Sequence, residues 1–151
     1  MIVYRIGRTR YANDLDGEGA RLFGGRWNHK LTPCIYTSES RALALLEYTA
    51  NVNIDDIPRA LSITTFEIDP AYMLAVPISS LPGDWKNAPA PATTKDFGTG
   101  LLQKGHYGIL KVPSAIMEDE FNYLLNPLFR KASVYSIISV RDFVYDVRLK
   151  L

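Results

Sequence analysis

Three side chains of unlike chemistry fall within the first third of the chain, each delivered by a different local element. Arg26 follows a glycine pair in Gly24-Gly25-Arg26-Trp27-Asn28, Tyr36 ends a short apolar segment, and Glu47 sits on the helical stretch after it. An arginine is a planar, permanently charged fork suited to phosphate or carboxylate. A tyrosine offers a ring to stack on, and a glutamate offers negative charge. Together they suit a ligand that is anionic, aromatic and cation-bearing.

Other chemistries need residues this chain does not supply in pattern. An ester or amide hydrolase wants a nucleophile with an adjacent base, yet Ser114 has no evident histidine and His106 no evident orienter. Cys34, His29 and His106 are too thin a set for a recognisable metal site, and a lone Cys34 cannot form an internal disulfide. We read Cys34 as a small buried hydrophobe in a strand. Cleavage of the nicotinamide–ribose bond of NAD asks for less. The leaving group departs from a cationic ring as a neutral amine, so no general acid is required. The protein has to hold the pyrophosphate, orient the ring and stabilise the positive charge that grows on the ribose. Arginine, tyrosine and glutamate fit those three roles in turn.

The elements that must position them are legible in part. Ile2 to Ile6 alternates as a first strand, and Gly7 to Asn28 reads as a long loop with work to do. Pro33 to Tyr36 reads as a short buried strand. Thr37-Ser38-Glu39-Ser40 supplies N-caps for a helix whose apolar stripe runs through Ala42, Leu45, Leu46 and Thr49, with Leu43 and Ala50 widening it. Glu47 lies about 40° beyond Leu43 on the helical wheel, at the margin of that stripe, where a carboxylate can stand at the lip of a cleft.

Leu61 to Ile68 reads as a second long strand, closed by Asp69-Pro70. Pro77 to Thr94 reads as a proline-rich surface excursion containing Trp85. A short, glycine-weakened helix is predicted from a Thr93 or Thr94 cap to Leu102, and Gly98-Thr99-Gly100 is no dinucleotide fingerprint. Tyr107 to Val112 reads as a strand that puts Ser114 just past its end. Glu118 to Pro127 reads as a polar stretch of turns, and two β-rich runs, Ser133 to Val140 and Phe143 to Leu149, make an antiparallel finish. The expected class is α+β, a single domain of mainly antiparallel mixed sheets with few helices.

The 151 residues, 47% of them apolar, suffice for one core. No apolar run reaches membrane-span length and the N-terminus lacks a signal peptide's apolar segment, so the expected location is cytoplasmic, with no membrane partner. Net charge is +1 but uneven: residues 1–30 hold six Lys/Arg against three acids, residues 130–151 five against two, and the middle six against eleven. The basic ends either form one positive surface, suited to phosphates or an acidic partner, or are scattered solvated arginines. A nucleic-acid-binding module is the non-enzyme alternative. It lacks a recognition helix and basic residues interleaved with aromatics, and no direct nucleic-acid contact is expected.

Several motifs resemble the RES domain family, named for an Arg, a Glu and a Ser. They are Gly24 to Asn28, Tyr36 with its Ser/Thr run, Ala44-Leu45-Leu46-Glu47, Val112-Pro113-Ser114 and Glu120 to Pro127, in order along nearly the full chain, residues 1–151. Two departures are the stretches Gly98 to Leu101, where the family often has a tryptophan, and Leu128-Phe129, where it often has a histidine.

The resemblance implies a bacterial type II toxin with an ADP-ribosyltransferase-like fold that consumes NAD by hydrolysis or phosphorolysis, or that transfers ADP-ribose to a protein. It implies NAD as substrate with no separate cofactor, an Xre-type antitoxin as partner, and a homodimer within that complex as a further association. Arg26, Tyr36 and Glu47 then become catalytic, with Arg26, Tyr36, Ser114 and Asn122 as substrate contacts. Ser114 either touches ligand or caps its turn, and Asn126 is read as a turn residue.

Overall fold

The computed structural model describes residues 1–131 and 133–150. Seven strands, β1 (Ile2–Arg8), β2 (Ile35–Ser38), β3 (Leu61–Ile68), β4 (Met73–Ala75), β5 (Ile109–Pro113), β6 (Phe121–Leu125) and β7 (Tyr135–Phe143), form one sheet in the order β4-β5-β6-β2-β1-β3-β7. Every pairing is antiparallel except β4 with β5. Among the described residues three α-helices accompany it: α1 (Glu18–Phe23), α2 (Arg41–Asn51) and α3 (Ala92–Lys104). The expected α+β class with a mixed, mainly antiparallel sheet is what the chain adopts.

Register decides which side chains share a face. Ser38 of β2 lies opposite Asn122 of β6 and Tyr4 of β1, while Tyr36 lies opposite Leu124. Directly opposed residues project to the same side, so Tyr36, Ser38 and Asn122 stand on one face. Two helical layers cover it. Ala44 of α2 packs with Ile6 and Ile63, and Leu102 of α3 joins Trp27, Trp85, Leu110, Val112 and Leu124. The opposite face carries Val3, Ile35, Phe66, Ile109, Tyr123 and Leu125 in a second cluster.

The proline-rich excursion is anchored by its tryptophan rather than lying loose on the surface. Trp85 is only 7% exposed and stacks on Trp27 with ring centroids 6.0 Å apart, while Phe97 meets Trp27 edge-on at 6.5 Å. Gly98 explains itself here: a Cβ on it would lie 2.0 Å from the Trp27 carbonyl oxygen, so only glycine lets α3 press onto that turn. The glycine that weakens the helix intrinsically is what permits its packing.

Several expectations are corrected. The Gly7–Asn28 stretch is not all loop: β1 extends to Arg8, and α1 occupies six residues of it. The second strand runs Ile35–Ser38 rather than ending at Tyr36. The helix α3 is longer than predicted and begins after Pro91, with neither Thr93 nor Thr94 capping it. Packing against Trp27 outweighs the propensity cost of its two glycines.

The polar stretch 118–127 contains β6, whose Asn122 faces a polar site instead of solvent. The two C-terminal runs are one strand, β7, followed by a 3-10 turn at Val147–Lys150. β1 and β7 flank β3 on its two sides, and of the basic residues at the two ends only Arg5, Arg8 and Arg141 lie on those strands. Some of that charge is already matched, as Arg21 pairs with Glu18 and Arg148 with Asp146.

Candidate active site

Glu47 reaches its neighbours from the second turn of α2. That helix starts where Ser40 accepts the Leu43 N–H at 3.0 Å on its side chain, which satisfies one of the helix's orphan donors. Two donors then converge on a single oxygen of the glutamate. Ser114 donates its hydroxyl to Glu47 Oε1 at 2.7 Å, and Asn122 donates its amide to the same oxygen at 2.8 Å. Among the described residues, Oε2 has no protein donor. The carboxylate is held by one edge with the other left available.

Of the two roles left open for Ser114, ligand contact or turn cap, its bonds show the cap, and they add a contact to Glu47. Its hydroxyl donates to Glu47 and accepts the backbone N–H groups of Ile116 (3.1 Å) and Met117 (3.0 Å), so it caps the turn after β5 while fixing the carboxylate. A hydroxyl has one donor and two acceptor sites. All three are occupied and the residue is 2% exposed, which leaves Ser114 as a positioning residue for Glu47. Asn122 is oriented in turn by Ser38, whose hydroxyl donates to Asn122 Oδ1 at 2.6 Å and so turns the amide NH2 toward Glu47. From the sequence Ser38 is only one of several candidate helix caps, a role that Ser40 takes. Only the strand pairing of β2 with β6 brings it to Asn122.

Two residues before Ser38, on the same face of β2, Tyr36 holds the Gly24–Asn28 loop. Successive same-face residues of a strand are about 7 Å apart. The phenol donates to Asn28 Oδ1 at 2.6 Å and accepts the Trp27 N–H at 2.9 Å. Burial pushes the Tyr36 hydroxyl well above its ordinary pKa, so it remains a protonated donor. Gly25 passes so close that a Cβ there would lie 2.6 Å from the Tyr36 oxygen. Asn28, wholly buried, completes the knot by donating its amide to the carbonyls of Ala20, His29 and Thr32.

Arg26 emerges from this braced loop half-buried. Its Nη1 donates to the carbonyls of Trp85 (2.7 Å) and Asn87 (2.9 Å), so the proline-rich segment clamps one end of the guanidinium. Among the described residues, Nε and Nη2 have no protein acceptor. Their fork is free for an anion.

The five sequence-selected residues therefore form two clusters, Glu47–Ser114–Asn122 and Arg26–Tyr36, joined through one face of β2. Asn126 lies outside both. It is buried, bonds Leu102 O and Tyr107 O through its amide and accepts Leu128 N–H, a turn brace as expected.

The importance of the Tyr36 hydroxyl gives a test that differs from a pure stacking role. Tyr36→Phe removes two buried hydrogen bonds and leaves Asn28 Oδ1 without a partner, which costs about 1–3 kcal/mol. Chemical denaturation should show that loss. Equal stability of Tyr36→Phe and the parent would return the residue to stacking alone.

The chain is similar to known proteins over nearly its whole length. Residues 2–147 match the RES domain. The chain belongs to the RES domain family. It is 36% identical over 152 residues to a protein named Toxin Res from Yersinia enterocolitica, covering 99% of this chain and 100% of that one. It is 33% identical over 145 residues to one named Prs ADP-ribosylating toxin from a Sphingobium species, covering 94% and 90% respectively. In fold it is similar to a chain in the crystal structure of the M. tuberculosis MbcT-MbcA toxin-antitoxin complex. The TM-score is 0.74 at 20% identity, over 95% of this chain and 84% of that one. The resemblance in sequence assigns the family's Arg, Glu and Ser to Arg26, Glu47 and Ser114. Ser38 and Asn28 join them as polar residues that the tertiary structure adds.

Proposed function

We propose that this RES domain, residues 1–151, is the toxin of a type II toxin–antitoxin pair and cleaves the nicotinamide–ribose bond of NAD. The observation that carries the reading is Glu47, held by Ser114 and Asn122 on Oε1 with Oε2 free. A carboxylate fixed this way stabilises positive charge developing on a ribose without reorganising. Arg26 takes the pyrophosphate on its free edge, and Tyr36 sets the loop that carries Arg26. The bond from ribose C1′ to the nicotinamide nitrogen breaks with its electron pair going to nicotinamide. An acceptor oxygen then bonds C1′ and gives up its proton.

Water or phosphate as acceptor depletes NAD. A protein side chain as acceptor gives mono-ADP-ribosylation, and the likeness to a protein named Prs ADP-ribosylating toxin favours keeping that second reading. The fold similarity to a chain solved in a toxin–antitoxin complex supports an antitoxin partner for this one; we assign it as an Xre-type protein. The exposed Arg8 of β1 and Arg141 of β7 suit an acidic segment of such a partner. Access to the NAD pool places the protein in the cytoplasm, and no helix among the described residues is long and apolar enough to cross a membrane.

Incubating the purified chain with NAD and resolving nicotinamide, ADP-ribose and phosphorylated ADP-ribose by chromatography tests the reading and identifies the acceptor. In cells, expression of the chain alone is expected to arrest growth and lower NAD, and co-expression of the adjacent reading frame to restore both. Growth arrest with NAD undiminished and no labelled protein product from tagged NAD would overturn it.

A further inference from the structure

Two cations converge on the Gly24–Asn28 loop from different elements, and only one of them belongs to the trio. Lys95, in the first turn of α3, donates its ammonium to the Gly25 carbonyl, next to Arg26 in the chain. The lysine's pKa is lowered, first by partial burial and then by the Arg26 charge, so the two groups feel each other. Like charges brought together repel unless something neutralises them. Among the described residues, no carboxylate lies within ion-pair distance of either one.

The nearby acids are committed elsewhere. Asp96, adjacent to Lys95, bonds His29 at 2.6 Å, and Asp84 accepts the Thr93 hydroxyl at 2.7 Å. Glu47 belongs to the other cluster, with Ser114 and Asn122, and makes no ion pair with either cation. Both cations are braced by backbone carbonyls, which orient them without cancelling their charge. Lys95 also lines a cavity of about 420 Å³ with Phe23, Gly24, His29 and Lys30, which provides room beside the lysine.

We propose that Lys95 is a second anion ligand of the site, sharing the NAD pyrophosphate with Arg26. The assignment rests on the NAD reading above. A dinucleotide pyrophosphate carries one negative charge on each phosphoryl group, and two adjacent cations match it in number. Their chemistry divides the task. The Arg26 fork fixes one phosphoryl group in a defined plane, while the Lys95 ammonium spends one of its three donors on Gly25 and turns the other two to the second group. Ligand binding replaces a repulsive pair with two attractive contacts.

Titration calorimetry with inorganic pyrophosphate and with NAD, in the Glu47→Gln background where turnover is suppressed, tests the assignment. Lys95→Gln is expected to weaken both ligands about tenfold or more, and Lys95→Arg to recover most of the loss. Lys104→Gln, at the far end of α3, serves as the charge control and should bind as the parent does. Salt separates a ligand contact from a mere brace of Gly25: the parent's affinity should fall more steeply with ionic strength than that of Lys95→Gln. An unchanged salt dependence, undiminished pyrophosphate binding by Lys95→Gln, or no pyrophosphate binding by the parent would overturn the proposal. Lys95-dependent pyrophosphate binding by a protein that neither binds nor cleaves NAD would leave this anion seat standing and remove the NAD reading instead.

Discussion

Glu47→Gln should keep the fold and lose NAD turnover by about 10²–10³-fold, the scale on which a single preorganised electrostatic group acts at a transition state. The reason for the retained fold is local. A glutamine carbonyl oxygen can occupy the Oε1 position and still accept from Ser114 and Asn122. Its amide NH2 then stands where Oε2 was and presents a donor to the ribose in place of negative charge. Nicotinamide release, followed by chromatography under single-turnover conditions, reads the chemical step, and thermal unfolding reads the fold. Affinity for NAD should change far less than the rate, because the charge being stabilised exists fully only in the transition state. In cells the same variant should abolish both growth arrest and NAD loss. Normal turnover by Glu47→Gln would end the assignment of this residue.

Arg26→Lys is expected to be nearly as damaging as it is conservative in charge. The arginine uses one terminal nitrogen on the carbonyls of Trp85 and Asn87 and keeps a separate edge free, and one ammonium cannot reproduce both. A lysine at this position either binds the clamp or leaves it for the ligand. A hydrogen bond to a charged group contributes about 1.5–3 kcal/mol. The corresponding loss is about tenfold to a hundredfold in kcat/KM for Lys, carried chiefly by KM, and a larger loss for Ala. Steady-state kinetics on NAD with both variants checks this order. Lys and parent proteins with equal KM would show that only charge matters at position 26, and that the clamp has no bearing on binding.

The residues with distinctive chemistry were legible in the chain itself. Arg26, Tyr36 and Glu47 stand out because a glycine-delivered arginine, a tyrosine in a short apolar run and a glutamate at the margin of a helical stripe are set by local pattern. The helix α2 and strand β3 were equally local, with an apolar period of helix or strand strong enough to fix the element. What tertiary structure decided lies where a residue's partner is distant.

Asn122 reads as a turn residue because asparagine disfavours strands in general, yet in β6 it pairs across to Ser38 and hydrogen-bonds Glu47. Gly98 reads as a flaw in a helix until Trp27 is seen to occupy the space a side chain would need. Trp85 sits in a stretch whose prolines say surface, and it is buried because an aromatic partner 58 positions earlier receives it. Lys95 carries no sequence signal of its own, Ser38 only that of a candidate helix cap and Asn28 only that of a motif's last residue. Their roles come from the register of β2 against β6 and from the docking of α3 on the glycine loop, and neither is encoded in the spacing of neighbouring residues.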